Sequence, residues 1–543
     1  MSFIVGLLGT ASTYKSQLTL AFIIGLVLLS LYWFYRYTIE PTTTPVKGLP
    51  QLPGSIAIWG NLKQLGSDHP TALQRLSLKY KFPVFQCLFG NQRIVFINSY
   101  DSAMEWFIKN QTALIDRPLF YTFHKLVSTS QGLTIGTSPW NETCKKRRLN
   151  VQRYMTTPAI KERANLIDVE SYSMLRDLYS FTKANGPIYP YKYTQRLALN
   201  FTTMLSYATR FDDIDTPLLG EILDMVKVIS SFRSTNNNLQ DFIPLVRLLP
   251  ENKRSAQAKN SSAKRNIWLD KLTQEAVNHK HERTSIVGDF ANTDGKGRLN
   301  MDDIKCICVG LVSGGFETIG STASLIFAQL CTENGELWQE RLYDELMKIY
   351  DGDIVKAYQS VLLEEKSEFG VSFIRELLRM YAVIPLIPAR KTCKEFTWNG
   401  VTVPEGITVI LNAQAANHDK SHFGADADDF VPDRFLKDDS VNYPPYHFTF
   451  GAGSRACTAV NLSNRILYAG LCRTCLLFKV KKDPSRLPVV DYVDFAEDRQ
   501  AQTNWIKEFG MSLEPRDEAM VEKCFSVSKN TCEEDLSYSI EYN

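Results

Sequence analysis

A mainly α-helical fold with a smaller β region, behind one N-terminal membrane-crossing helix, is the class that this 543-residue sequence predicts. Three observations point there. Ser16 to Tyr35 is largely apolar and carries no charge. Met301 to about Leu330 reads as a second long apolar helix, entered from the polar stretch Asn292–Asn300. No linker, repeat or low-complexity break divides residues 48–515, and an apolar fraction of 44% supports one large core.

The N-terminal run is long enough to span a bilayer, since about twenty helical residues cover about 30 Å. Tyr32, Trp33, Tyr35 and Tyr37 form an aromatic belt at one end, with Arg36 among them. A cleaved signal peptide is disfavoured: the apolar core is too long and no small-x-small cleavage site follows. Pro41, Pro45, Pro50 and Pro53 then mark a semi-rigid, extended hinge. A formal charge of +2 gives no general argument for nucleic-acid binding. Eleven cysteines without regular spacing argue for free thiols rather than a disulfide framework.

The most restrictive pattern lies late in the chain, at Phe450-Gly-Ala-Gly453-Ser-Arg455-Ala-Cys457-Thr-Ala459. A lone cysteine follows a glycine-rich loop and opens an apolar helix. An axial thiolate pushes electron density onto haem iron and favours O–O cleavage. Loop N–H groups and a helix start both favour the negative sulfur. Gly453 is expected to allow close backbone approach to the macrocycle. Arg455 is expected to pair with a haem propionate, and Phe450 to pack beside the sulfur.

Upstream, Gly314-Gly-Phe-Glu317-Thr318 interrupts the long apolar helix. Adjacent glycines permit a kink, and an acid and a hydroxyl beside it can hold water and relay protons. Glu376 and Arg379 share a helix face and can form a salt bridge. Pro385-Leu-Ile-Pro-Ala-Arg390 suits a strand that lines a pocket and then reaches a propionate. His418 and His422 are four apart but lie in a loop-like run, which disfavours a metal pair.

Together these segments resemble the cytochromes P450. Phe450, Gly453, Arg455 and Cys457 match the family's haem-binding loop, with Ala459 where glycine is usual and a slightly tighter fit expected. Gly314–Thr318 matches its [A/G]-G-x-[D/E]-T motif. Glu376-x-x-Arg379 and Pro432-Asp-Arg434-Phe435 match its E-x-x-R and P-E-R-F-like motifs, Asp433 replacing the glutamate. The resemblance implies haem b with Cys457 as axial iron ligand. It implies that Thr318 meets dioxygen and Glu317 helps supply protons, while Glu376, Arg379 and Arg434 form a supporting charged triad. It places Trp140 on a propionate too. Cys144 stands at the family's next arginine position, with Lys145 or Arg147 as substitutes.

The resemblance also implies a layout. Residues 1–15 are an N-terminal segment, 16–36 the anchor, 37–54 the hinge, 55–517 the catalytic domain, and 518–543 a polar, poorly ordered tail. The implied setting is the endoplasmic reticulum membrane, with a cytosolic body. Electrons would come from NADPH through NADPH-cytochrome P450 reductase, with cytochrome b5 as a second candidate donor. Thr134–Trp140, Thr143–Arg148 and Ser230 to Asp241 further resemble the fungal phenylacetate hydroxylases. Monooxygenation of a small aromatic acid is therefore expected. An oxygen-independent isomerase or dehydratase, and a non-enzymatic haem or ligand-binding membrane protein, are the alternatives. Phe316, Ile384, Leu386 and Ile387 are expected to line an apolar pocket. Arg117, His124, Lys125, Arg233 and Asn236 are the candidate partners for a substrate carboxylate.

Overall fold

The computed structural model describes residues 2–128, 134–249, 253–281, 284–291, 299–436 and 444–535. Residues 292–298 of the polar stretch before the long helix, and 536–543 of the tail, lie outside the described residues. Helix α1 spans Ser2–Phe34, so the segment expected at 1–15 is continuous with the anchor. The apolar helix Gln17–Ile39 has a mean hydropathy of 2.1, and its residues are exposed as far as Tyr37, with Thr38 the first buried one. Such a helix can cross a bilayer and has no protein surface to pack on.

The hinge is extended and pinned to the body. The Gln86 side-chain amide donates to the carbonyls of Val46 and Leu49, each at 2.9 Å. Arg93 Nε donates to Thr43 O at 3.1 Å. Gln86 lies on β1 (Val84–Phe89), which pairs antiparallel with β2 (Gln92–Ile97). Strand β3 is Arg390–Lys391 and β4 is Thr408–Leu411. The sheet order is β1-β2-β4-β3, with β2 and β4 parallel, Ile94 opposite Thr408. Arg390 opposes Val409 on β4, which fixes this arginine on a sheet edge.

The helices that build the site are α2 (Glu142–Gln152), α3 (Ala164–Asn185), α4 (Tyr191–Tyr207), α5 (Pro217–Ser231), α6 (Met301–Leu330), α7 (Glu368–Met380) and α8 (Val460–Leu477). Helix α6 starts cleanly because Asn300 Oδ1 accepts from Asp303 N at 2.7 Å, with Asp302 and Asp303 in the first turn. It is as apolar as a membrane span but mostly buried, packed along α4 and against α8. It is the spine of the core.

The tail corrects an expectation. Glu518–Asp535 forms helix α9, which docks on α3. Val521, Cys524, Phe525 and Ser528 recur at helical spacing and make one inward face. Ser528 Oγ donates to Asp168 Oδ1 at 2.5 Å, and Asp168 also accepts from Arg473 at 2.7 Å. A polar average composition hides that narrow apolar stripe.

Candidate haem-thiolate site

One cavity of about 330 Å³ is walled by α6 and by the loop before α8. Gly314, Glu317 and Thr318 line it from α6, and Phe450, Gly451 and Arg455 to Ala459 from the loop. Cys457 presents its thiol to this cavity while protein packs round its other sides. Its Sγ accepts the Ala459 N–H at 3.4 Å. Burial pushes the thiol's pKa up; the Ala459 N–H and the Arg148 guanidinium pull it back. Ala459 has φ −101°, so this position makes no demand for glycine's conformational freedom. Phe450 lines the cavity, and its carbonyl accepts Cys457 N at 2.9 Å.

Gly453 stands where the protein itself demands glycine. Its φ is +62°, and a Cβ there would sit 2.0 Å from the Phe107 carbonyl oxygen. Glycine is needed for the loop to pack on its own protein neighbours.

Four arginines gather beside the thiol loop. Arg455 donates to Ile115 O at 3.0 Å and Ser138 O at 2.9 Å. Arg390 donates to Ala452 O at 2.9 Å, and Arg148 to Ala456 O at 3.0 Å. Arg117 reaches Ala389 O at 2.8 Å and also bonds Pro388 O. Among the described residues no acid side chain forms an ion pair with any of the four. Burial depresses all four pKa values, and arginine neighbours add to it for Arg117, Arg390 and Arg455; Arg455 falls to about 10. The Nε atoms of Arg117, Arg390 and Arg455 are buried without a partner. A buried cationic cluster with spare donors requires an anion. The two propionates of a haem would meet that requirement, and Cys457 would supply a thiolate for its iron. The residues present therefore fit haem.

Trp140 does not line the cavity. Its ring lies 5.6 Å from the Arg455 guanidinium, and its backbone N–H donates to Asp116 Oδ1 at 2.7 Å. It positions Arg455. Neither substitute named for Cys144 lies at the cavity. Arg147 is held by Asp303 at 2.7 Å, and Lys145 faces Glu142. Arg148 takes that place. It sits one helical turn after Cys144 on the same buried face, a spacing the sequence already carried.

On the other wall, α6 is continuous α-helix through the two glycines, and each glycine has a packing role. A Cβ at Gly315 would meet Thr202 Cγ2 of α4 at 2.8 Å, whereas one at Gly314 would meet nothing within 4 Å. Gly315 lets helices approach; Gly314 clears the cavity. Thr318 Oγ1 donates to Gly314 O at 3.0 Å, which leaves its lone pairs free to accept from the cavity. Glu317 is buried, and Thr503 Oγ1 donates to its Oε2 at 3.4 Å. Burial pushes its pKa up to about 7, against the pull of Ser230, Arg233, Thr503 and Lys227. Thr503 comes from a loop held on α6 by the Ser321 Oγ bond to Asn504 O at 2.6 Å. No local sequence pattern marked it.

Phe316 turns away from the cavity and packs on Trp505, with ring centroids 6.2 Å apart. Leu386 likewise belongs to the core, while Ile384 and Ile387 line the cavity. Of the carboxylate candidates, Arg117 joins the four-arginine cluster and Lys125 is exposed. Asn236 lies outside the lining, hydrogen-bonded to Ser234 and Gln500. Arg233 and His124 face the cavity.

The triad lies behind the thiol loop. Arg379 grips Glu376 through two bonds of 2.7 and 2.8 Å, and Arg434 Nε meets both carboxylate oxygens at 3.2 Å. Arg379 also donates to Asn417 O at 2.8 Å. Asn417 Oδ1 in turn accepts from Phe448 N at 2.8 Å, and its Nδ2 donates to Thr449 Oγ1 at 3.0 Å. Those two residues lead directly into Phe450. Asp433 stands apart, paired with Arg341 at 2.7 Å on the surface.

A thiol loop, a facing helix with an acid–threonine pair, and a charged triad behind the loop define a haem-thiolate fold. The family profile described as Cytochrome P450 matches residues 50–491, and the chain belongs to that family. It is 38% identical over 507 residues to phenylacetate 2-hydroxylase of Emericella nidulans, covering 92% of this chain and 96% of that protein. It is 31% identical to 3-hydroxyphenylacetate 6-hydroxylase of the same organism, covering 80% of this chain and 83% of that protein. A zebra fish cytochrome P450 solved with abiraterone shares the fold, with TM-score 0.63 and 17% identity, over 82% of this chain and all of that one. The chain is accordingly a P450 monooxygenase, with the haem its family implies.

Proposed function

We propose that this enzyme hydroxylates a phenylacetate-type aromatic acid. The observation that carries the reading is one cavity in which the Cys457 thiol and the Glu317–Thr318 pair meet apolar, aromatic and cationic walls. Two relatives whose names specify phenylacetates support the substrate class. Haem, when bound, supplies oxygen activation at its iron. The chain's residues do the rest. Ala459 N–H and Arg148 favour the thiolate of Cys457. Arg117, Arg148 and Arg455, which line the cavity, would take the propionates, with Arg390 bracing the loop through Ala452 O and Trp140 behind Arg455. Thr318 accepts a hydrogen bond at the cavity wall, and Glu317 exchanges protons near neutral pH behind it.

Electrons come from NADPH through NADPH-cytochrome P450 reductase, with cytochrome b5 as a second donor, because the sequence carries no flavin or nicotinamide motif. The exposed Lys145 on α2 suits an acidic partner. The N-terminal helix supports a membrane anchor, and the family supports its residence in the endoplasmic reticulum with the body in the cytosol. An oxygen-independent reaction is disfavoured because it has no use for Glu317 and Thr318.

The test is a haem spectral titration with phenylacetate and its ring-hydroxylated analogues, followed by product per NADPH with reductase. Substrate-type shifts and a hydroxylated product are expected; neither appearing with any aryl acid removes the substrate reading. Cys457→Ser should abolish the thiolate-type spectrum of the reduced carbon monoxide complex, and its survival would refute the ligand assignment.

A further inference from the structure

We infer that Arg233 is the clamp for the substrate's carboxylate, and so the residue that selects aryl acids over neutral aromatics; the inference rests on the aryl-acid reading above. Two separate sets of cations line the cavity: Arg117, Arg148 and Arg455 beside the thiol loop, which would take the propionates, and Arg233 apart from them. Arg233 belongs to neither that loop nor its neighbours. It follows α5, lines the cavity, and donates through Nη2 to Ser313 Oγ on α6 at 3.3 Å. Ser313 lies just over one helical turn before Thr318, so Arg233 rests on the wall that carries the acid–threonine pair.

Arg233 is a donor with unused capacity. Its Nε is buried with no partner, and no carboxylate forms an ion pair with it among the described residues. Its guanidinium lies 4.6 Å from the Phe123 ring centroid, which braces it without consuming donors. A planar guanidinium with free N–H groups matches a carboxylate bidentately. Phe120, Phe201 and Phe232 line the same cavity and suit an aromatic body. The ligand chemistry that fits is therefore an aryl ring carrying a short-armed carboxylate. His124, the other candidate, already bonds the Thr137 carbonyl and the Phe120 N–H, and burial disfavours its cationic form.

The experiment compares phenylacetate with phenylacetamide, which keeps the ring and arm but removes the charge. Dissociation constants come from haem spectral shifts of the holoenzyme, wild type, Arg233→Gln and Arg233→Lys. Wild type should prefer phenylacetate. Arg233→Gln should weaken phenylacetate by on the order of 30-fold or more while changing phenylacetamide only slightly. Arg233→Lys should retain part of the preference and serves if the glutamine variant fails to assemble haem. A preference for phenylacetate that survives in the variants overturns the clamp and leaves the substrate reading standing. A wild type that prefers the amide overturns both.

Discussion

Two groups of buried arginines flank the thiol loop, and they are built in opposite ways. Arg379 and Arg434 share the carboxylate of Glu376, and Arg379 also donates to the carbonyls of Asn417 and Ala427 at 2.8 and 2.7 Å. That network is closed within the protein. Among the described residues Arg117, Arg148, Arg390 and Arg455 donate only to backbone carbonyls, and three retain buried Nε donors without partners. That cluster is open. The difference separates fold from cofactor: buried charge that is fully paired holds the chain together, while buried charge of one sign waits for an anion.

Breaking the closed group should have the largest effect. Glu376→Gln leaves the buried Arg379 guanidinium without a carboxylate and Arg434 with Asp426 alone, and such losses cost about 3–5 kcal/mol. The yield of folded protein and its denaturant midpoint should both drop, with or without added haem. Breaking the open group should act on the cofactor instead. Arg148→Ala removes one charge-assisted donor, worth about 1.5–3 kcal/mol toward an anion. Haem should transfer to an acceptor apoprotein at least about 10-fold faster. The melting temperature of haem-free protein should move far less than in Glu376→Gln. Equal destabilisation of the haem-free forms would erase the distinction between the two groups.

Both groups were only partly legible in the sequence. Glu376-x-x-Arg379 and Cys457 sit in fixed local patterns, so their neighbours follow from spacing. The route from the triad to the loop runs through Asn417, which no motif marks, because it depends on a contact across 31 residues with Phe448. Arg148 was hidden by a run of four basic residues, of which only helical phase picks the inward one. Phe316 was misread as a pocket residue because sequence adjacency to Glu317 says nothing of which side of α6 it faces; Trp505, far along the chain, decides that. Helix α9 was missed because a four-residue stripe is lost in a polar composition.

Arg233 and Glu317 stand between the closed and open cases, an acid and a cation that influence each other without forming an ion pair. Their comparison predicts the smallest effect, a pH dependence. The groups facing Glu317 are Ser230, Arg233, Thr503 and Lys227. Burial raises its carboxyl from 4.5 to about 7, so the folded protein holds this proton more tightly than the unfolded chain. Below the unfolded value both states are protonated and the group contributes fully. Between about 4.5 and about 7 the unfolded chain loses its proton first, so stability falls as pH rises. Above that range both are ionised and the loss is complete. Glu317→Gln cannot ionise. The stability of wild type minus that of the variant should therefore decline across this window and be flat above it, measured by denaturant unfolding of matched haem-loaded samples. A difference that is flat throughout would mean that Glu317 remains ionised when folded, which would close the pair with Arg233 and move both into the closed class.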